Sequence, residues 1–206
     1  MDVKDETGIY LVKLARFSAK SWICEGKEPN PISPMPEQAK FTTGVFVTVK
    51  TRIGDEAHLR GCIGYPIGIK PLFEEVIDLA RDSTLNDPRF DPVQKKELSS
   101  LIFEVTVLTP PEEIIYNSPE ELLNNITIPG DGLIVKYGRT SGLLLPQVPV
   151  EQDWDVEEYI SYTCRKAYLS TDIWKKEKIK VEKFQGIVFT ETNPEGEIKR
   201  VSLSSH

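Results

Sequence analysis

Cys62 and Arg60 stand two residues apart in HLRGCIGY (58–65), and that pairing can do chemistry. In a strand, alternate side chains share a face. His58, Arg60 and Cys62, with Gly64, then fall on one side. Leu59, Ile63 and Tyr65, with Gly61, fall on the other and read as core. Arg60 and Cys62 would be roughly 6.5–7 Å apart along the strand. A guanidinium at that distance favours thiolate over thiol, and the thiolate is the nucleophile. Gly61 and Gly64 have no side chain, so a ligand or another backbone can approach closely there. The plainer reading of this segment outweighs the reactive one. A lone cysteine is most often a small buried apolar residue, Arg60 can simply pair with a carboxylate, and the glycines can mark a bulge. No neighbouring motif supplies a base.

Three further features can face the same site. Asp87 and Arg89, in NDPRF (86–90), can form an ion pair that holds a loop, or the arginine can bind an anion. Glu104 lies mid-strand in LIFEVTVL (101–108), where Leu101, Phe103, Val105 and Val107 make the apolar face and Glu104 lies opposite with Thr106. A carboxylate there is either solvated or paired. Cys164 falls on the apolar stripe of a helix and reads as packing. Zinc in a structural site takes four ligands. His58 and His206 are the only histidines, so neither a metal nor a cofactor is expected. GxGxxG, P-loop and GxSxG patterns are absent from the sequence.

Composition narrows the classes. The 206 residues carry 25 Lys and Arg against 32 Asp and Glu, a formal net charge of −7. Phosphate-backbone binding needs a basic footprint, so nucleic acid is a poor partner. The lysines between Lys175 and Lys183 alternate with Glu177 and Glu182 and read as a solvated face. No apolar run approaches the roughly 20 residues of a membrane span, and MDVKDETG lacks the hydrophobic region of a signal peptide. A cytoplasmic protein is expected. Cys24, Cys62 and Cys164 are too few and too scattered for a disulfide framework.

The elements that must position these residues follow from periodicity. Val12, Ala15, Ala19, Trp22 and Ile23 recur at helical spacing within about 5–25, and Gly26 is a C′ stop. The four prolines of KEPNPISPMPEQ (27–38) make a connector. VFVTV (45–49) is a strand, TRIGDEA (51–57) a turn, and 58–65 the antiparallel return. A helix follows with Pro71 in its first turn and Leu72, Phe73, Val76, Ile77 and Ala80 on its buried stripe. NDPRFDPV (86–93) turns, a short helix occupies 94–98, and 101–108 is the clearest strand. GLIVKY (132–137) and GLLLP (142–146) form a hairpin around GRTS. Asp155 and Glu158 have capping-box spacing for the next helix, and a strand over about 180–191 precedes a polar tail. Strands paired by short turns, with helices interspersed irregularly, give an α+β fold with a mixed, mainly antiparallel sheet flanked by helices.

LRGCIG (59–64) resembles the signature hexapeptide of the AMMECR1 family. GVFVTV (44–49), NDPRFDPV, FEVTVLTPP (103–111), DGLIV (131–135), GLLLPQV (142–148) and CRKAYL (164–169) resemble its other blocks, in the family's order and over nearly the whole chain. The resemblance is to a stand-alone archaeal-type member, a single domain over 1–206 with room for two subdomains. DGLIV carries aspartate where many members carry histidine, and CRKAYL carries tyrosine where glycine is commoner. The resemblance implies two unequal lobes, with Arg60, Gly61, Cys62, Asp87, Arg89, Phe90, Glu104 and Asp131 gathered around a cleft between them. It implies no activity. Bacterial relatives often occur beside Memo-like and radical-SAM proteins, which implies a shared pathway by association.

Two functions compete. One is an enzyme or small-molecule-binding protein with Cys62 and Glu104 as catalytic groups and Arg60, Gly61, Gly64, Asp87, Arg89 and Asp131 as binding groups. It requires an activated thiol and a pocket beside it. The other is a non-catalytic module that binds a partner protein. It requires an exposed apolar patch near the hexapeptide and little thiol chemistry. In that version Leu143, Leu144, Leu145 and Pro146 are core or an apolar wall.

Overall fold

A computed structural model describes residues 3–201. In chain order it contains helix α1 (Asp5–Glu25), strands β1 (Val45–Ile53) and β2 (Glu56–Tyr65), helix α2 (Leu72–Arg81), strands β3 (Leu101–Leu108) and β4 (Glu112–Glu113), helix α3 (Pro119–Asn124), strands β5 (Asp131–Tyr137) and β6 (Thr140–Leu144), helices α4 (Val148–Glu151), α5 (Val156–Lys166) and α6 (Ile173–Lys176), and strands β7 (Lys180–Glu191) and β8 (Ile198–Val201). A π-helical turn (Asp82–Asn86) extends α2, and a 3-10 helix (Lys95–Ser100) leads into β3. β1 pairs antiparallel with β2 and β3, β5 with β6 and β7, and β7 with β4 and β8. The fold is α+β, an antiparallel sheet flanked by helices. No helix among the described residues is long and apolar enough to cross a membrane.

The chain divides into two compact units, one built from 3–108 and 187–201, the other from 109–186. In the first, the strand order is β2-β1-β3-β7, with β8 also on β7. Val45, Val47 and Val49 of β1 and Leu101, Phe103, Val105 and Val107 of β3 are buried together with Leu11, Val12, Leu14 and Ala15 of α1 and Val76, Leu79 and Ala80 of α2. The period-two pattern of β1 and β3 therefore feeds one face to the helices. Leu11 and Leu14 join Val12, Ala15 and Ala19 in full burial, so the buried face of α1 is wider than its predicted stripe. Gly8 lets the Phe189 ring lie on the helix, because a Cβ there would meet the ring at 2.3 Å. Gly26 ends α1 at φ +65° and donates its N–H to the Trp22 carbonyl.

In the second unit, β5 lies between β6 and β7, and β4 pairs with the other edge of β7. Tyr159, Ile160 and Cys164 of α5, with Ala167 directly after it, pack on Leu133, Val135 and Val181. The predicted capping box is present: Asp155 accepts from the Glu158 N–H, and Glu158 accepts from the Asp155 N–H. Burial pushes the Cys164 thiol up to about 12, as expected of a packing cysteine. Tyr168 follows α5 at φ +61°, a left-handed position that favours glycine, which is the residue the family resemblance leads one to expect there. Lys175, Lys176, Lys180 and Lys183 are held by carboxylates, which leaves Lys178 alone in the lysine-rich segment without an ion pair among the described residues.

Three expectations are corrected. The turn expected at 51–57 shrinks to Gly54 and Asp55, because β1 and β2 both continue to it. The polar tail contains β8, whose Ile198 packs against the first core. HLRGCIGY is the edge strand of its sheet, and Leu59 and Tyr65, read as core, are 45% and 40% exposed. His206, weighed as a metal ligand, lies outside the described residues.

Candidate functional site

Glu104, Thr48 and Cys62 lie directly opposite one another on β3, β1 and β2. Paired residues point to the same face, so the three form one polar row on the side away from the helices. Lys50, two residues along β1 from Thr48, donates to Glu104 Oε2 at 2.8 Å. Thr48 Oγ1 and Cys62 Sγ are hydrogen-bonded at 3.2 Å. Thr48 and Lys50 are site residues that the sequence reading passed over. Their signal was legible, since both are polar at the alternate positions of VFVTVK.

Arg60 is not in this row. Val49 pairs with Gly61 and Lys50 with Leu59, so Arg60 is the extra residue of a β-bulge. A bulge inverts the alternation beyond it. Leu59 therefore takes the polar face, 45% exposed, rather than the core. Arg60 donates from Nε to Glu97 Oε1 at 2.9 Å and from Nη2 to Oε2 at 3.4 Å. Burial opposes the charge on Glu97, but hydrogen bonds from Arg60 and the Gln94 N–H outweigh it and hold the carboxyl below its ordinary range. Arg60 is thus engaged by Glu97, and it is not among the charges that act on the Cys62 thiol.

The Cys62 thiol is pushed above its ordinary value. Burial is the main cause. The Thr48 hydrogen bond and the Arg89 charge pull the other way, while Glu104 and Asp87 push further up. A thiol so placed is mostly protonated at neutral pH and a poor nucleophile.

Gly61 and Gly64 are occupied by the protein itself. A Cβ on Gly61 would lie 1.9 Å from the Ser83 carbonyl oxygen, and one on Gly64 would meet the Phe46 ring at 2.3 Å. Ser83, from the π-helical turn, accepts the Ile63 N–H at 3.1 Å and donates to the Val47 carbonyl at 2.8 Å. No sequence signal marked Ser83 for this role.

Asp87 and Arg89 dock on the open edge of β2. Asp87 Oδ2 accepts the Cys62 N–H at 2.9 Å, and Arg89 Nη2 donates to the Cys62 carbonyl at 3.0 Å. Arg89 also binds Asp87 through both carboxylate oxygens, at 3.0 and 2.7 Å. The pair satisfies the edge backbone as a neighbouring strand would. The loop that carries it is closed by the Val93 N–H to the Thr84 carbonyl and the Phe90 N–H to the Asp87 carbonyl. Pro88 keeps Asp87 extended, at ψ 114°. Arg89 itself remains half exposed, so it can still reach a ligand.

Hydrogen bonds from Arg89 hold the Asp87 carboxyl far below the ordinary range, against burial and with help from the Cys62 and Arg89 backbone N–H groups. A carboxyl depressed on folding stabilises the protein above its unfolded value of about 3.9, and that contribution is lost as pH falls towards the folded value. Asp87→Asn is expected to cost about 2 kcal/mol at pH 7, and most of that cost is expected to persist at pH 3, which is still well above the folded value. Urea unfolding at the two pH values checks this, and a cost that has vanished by pH 3 would mean that the folded state does not hold the carboxylate ionised so far down.

Asp131 belongs to the second unit. Its Oδ2 accepts the Thr127 N–H at 2.9 Å and lies 3.3 Å from Lys183 Nζ, and its Oδ1 accepts from Gln185 at 3.3 Å. All its polar partners are in that unit. Leu143, Leu144 and Leu145 are half-buried and Pro146 buried. Among the described residues, no three His, Cys, Asp or Glu side chains gather as a metal site would require.

A protein-family model described as AMMECR1 matches residues 12–189. Protein PH0010 of Pyrococcus horikoshii is 47% identical over 202 residues, covering 98% of each chain. Protein MJ0810 of Methanocaldococcus jannaschii is 44% identical over 193 residues, covering 94% of each. A solved structure titled as that of the uncharacterized protein PH0010 from Pyrococcus horikoshii aligns with a TM-score of 0.79, covering 97% of this chain and 98% of that one.

Proposed function

The chain belongs to the AMMECR1 family, whose molecular function is unknown, and from its geometry we propose that it binds a small polar molecule without thiol catalysis. The observation that carries this is the Glu104–Thr48–Cys62 row across three adjacent strands. Beside it, Lys50 is one-third exposed and Arg89 about half. Together they offer two cationic donors, a carboxylate acceptor and a hydroxyl. Such a set suits a molecule bearing an anionic group for Arg89 or Lys50 and a donor for Glu104. Cys62 serves as a packed hydrogen-bonding partner of Thr48. The raised thiol and the commitment of Arg60 to Glu97 both weigh against a nucleophile.

Two measurements test the reading together. Iodoacetamide labelling of Cys62 in the native protein, followed by mass spectrometry across pH, is expected to stay slow until above the ordinary thiol value of about 8.5. A thermal-shift screen with small carboxylates and phosphates is expected to find ligands that survive Cys62→Ser and are lost in Lys50→Met with Glu104→Gln. Fast labelling at neutral pH, or a ligand whose binding needs the sulfur, would return the protein to the thiol enzymes.

A second reading has its own support. Tyr65, Ile67 and Ile69 are 40%, 66% and 71% exposed directly after the hexapeptide. Their loop is held rigidly: a Cβ on Gly68 would strike the Thr43 backbone, and the Ile69 and Lys70 N–H groups both bind Glu75. Exposed isoleucines on a fixed loop suit a docking face for a partner protein. The Memo-like and radical-SAM proteins implied by the family resemblance are the partners to try first. Co-purification with such a partner that is abolished by Ile67→Asp with Ile69→Asp would favour this reading.

A further inference from the structure

A second site lies on the first unit, built from other residues and independent of the polar row. It is a pocket of about 690 Å³ lined by one face of α1, the 3-10 helix before β3 and the turn from β7 to β8. On α1, Lys13, Arg16, Phe17, Lys20 and Cys24 recur at i, i+3, i+4, i+7 and i+11, which places them on one helical face. Leu98 and Ile198 add apolar wall, and Phe17 is 45% exposed within it. A volume in this range suits a small organic ligand.

The charges around this pocket are unbalanced. Arg16 is committed at its floor, with Nε and Nη2 each 2.5 Å from Glu191. Lys13 and Lys20 from α1, and Lys95 and Lys96 from the 3-10 helix, are exposed, and none has an ion-pair partner among the described residues. The one acidic side chain of the pocket outside the Arg16–Glu191 pair is Glu195, which lies 3.8 Å from Arg16 Nη1. Four lysines without an ion pair among the described residues, Lys96 being next to Glu97 and within reach of its charge, thus ring an apolar pocket on a chain whose net charge is −7. Lysine acts as a mobile point charge for phosphate and carboxylate, and like charges held together await a counter-charge.

We propose that this pocket binds a small organic anion with an apolar body, seated against Phe17, Leu98 and Ile198 and with its phosphate or carboxylate among Lys13, Lys20, Lys95 and Lys96. The probe is 8-anilinonaphthalene-1-sulfonate, a sulfonated aromatic of this class, titrated by fluorescence into the full chain. N-phenyl-1-naphthylamine is its uncharged counterpart. The wild type is expected to bind the sulfonate saturably at one site, more weakly as salt rises, and to protect Cys24 from iodoacetamide while it does so. Lys13→Gln, Lys20→Gln, Lys95→Gln and Lys96→Gln combined are expected to weaken the sulfonate about tenfold or more, the sum of four modest exposed pairs. The neutral probe should change less than about twofold, since exposed lysines contribute little to folding. Phe17→Ala should weaken both probes. Unchanged sulfonate affinity in the lysine variant would overturn the proposal, as would equal loss of both probes in it, or binding that leaves Cys24 unprotected.

Discussion

Arg16→Met is expected to lower the unfolding free energy by about 3–5 kcal/mol, the usual cost of stranding one partner of a buried ion pair. Glu191 is 3% exposed at its side chain. Arg16 binds both its carboxylate oxygens at 2.5 Å and donates to the Leu101 carbonyl at 2.6 Å. The guanidinium also lies 4.9 Å from the centre of the Phe103 ring. Without Arg16, the carboxylate keeps only the Phe103 N–H, at 2.8 Å, among these contacts. For a chain of this length the loss corresponds to a fall of roughly 6–20 °C in Tm. Adding Glu191→Gln should restore about half of it, because the amide oxygen can still accept the Phe103 N–H while no charge is buried. Equilibrium unfolding of the single and double variants measures both. A single variant within about 1 kcal/mol of wild type would show that the pair is solvated in solution.

Gly61→Ala is the second large effect, expected at about 3 kcal/mol, the upper end of ordinary overpacking. The new methyl would sit 1.9 Å from the Ser83 carbonyl oxygen and 3.0 Å from its carbon. That obstacle is backbone, so it cannot swing aside. The π-helical turn must lift, and the Ser83 bridge between Ile63 and Val47 breaks with it. The Asp87 contact to the Cys62 N–H, on the same loop, is strained too. Cys62 should consequently alkylate faster in the variant while the thiol of wild type stays protected. Ser83→Ala, which removes the two side-chain bonds without a clash, should cost less, about 1–2 kcal/mol. If Gly61→Ala unfolds within about 0.5 kcal/mol of wild type, the close approach of these two segments is not a constraint on the fold.

Much of this protein is determined by its sequence alone, and the reason is local periodicity. The 3.6-residue pattern and Gly26 define α1 at both core face and stop. The alternation in LIFEVTVL defines β3 and sends Glu104 away from the core, where it is found. Asp155 and Glu158 define the start of α5. Each of these depends on neighbours within a turn or two of chain. Asp87 and Arg89 were also legible as a loop-holding pair, because two residues of spacing suffice to bring them together.

The chemistry of HLRGCIGY was decided only by tertiary structure. One bulge, set by how β1 and β2 come into register, leaves Arg60 without a partner on β1. The partner that Arg60 takes instead is 37 residues away in sequence. Gly61 reads equally as room for a ligand or for backbone until α2 ends in a π-helical turn that places Ser83 against it. The thiol is raised because burial and two carboxylates from other segments outweigh Arg89 and Thr48. Register, burial and contacts between distant segments carry no periodic signature, so the same eight residues that suggest a reactive cysteine also encode a packed one.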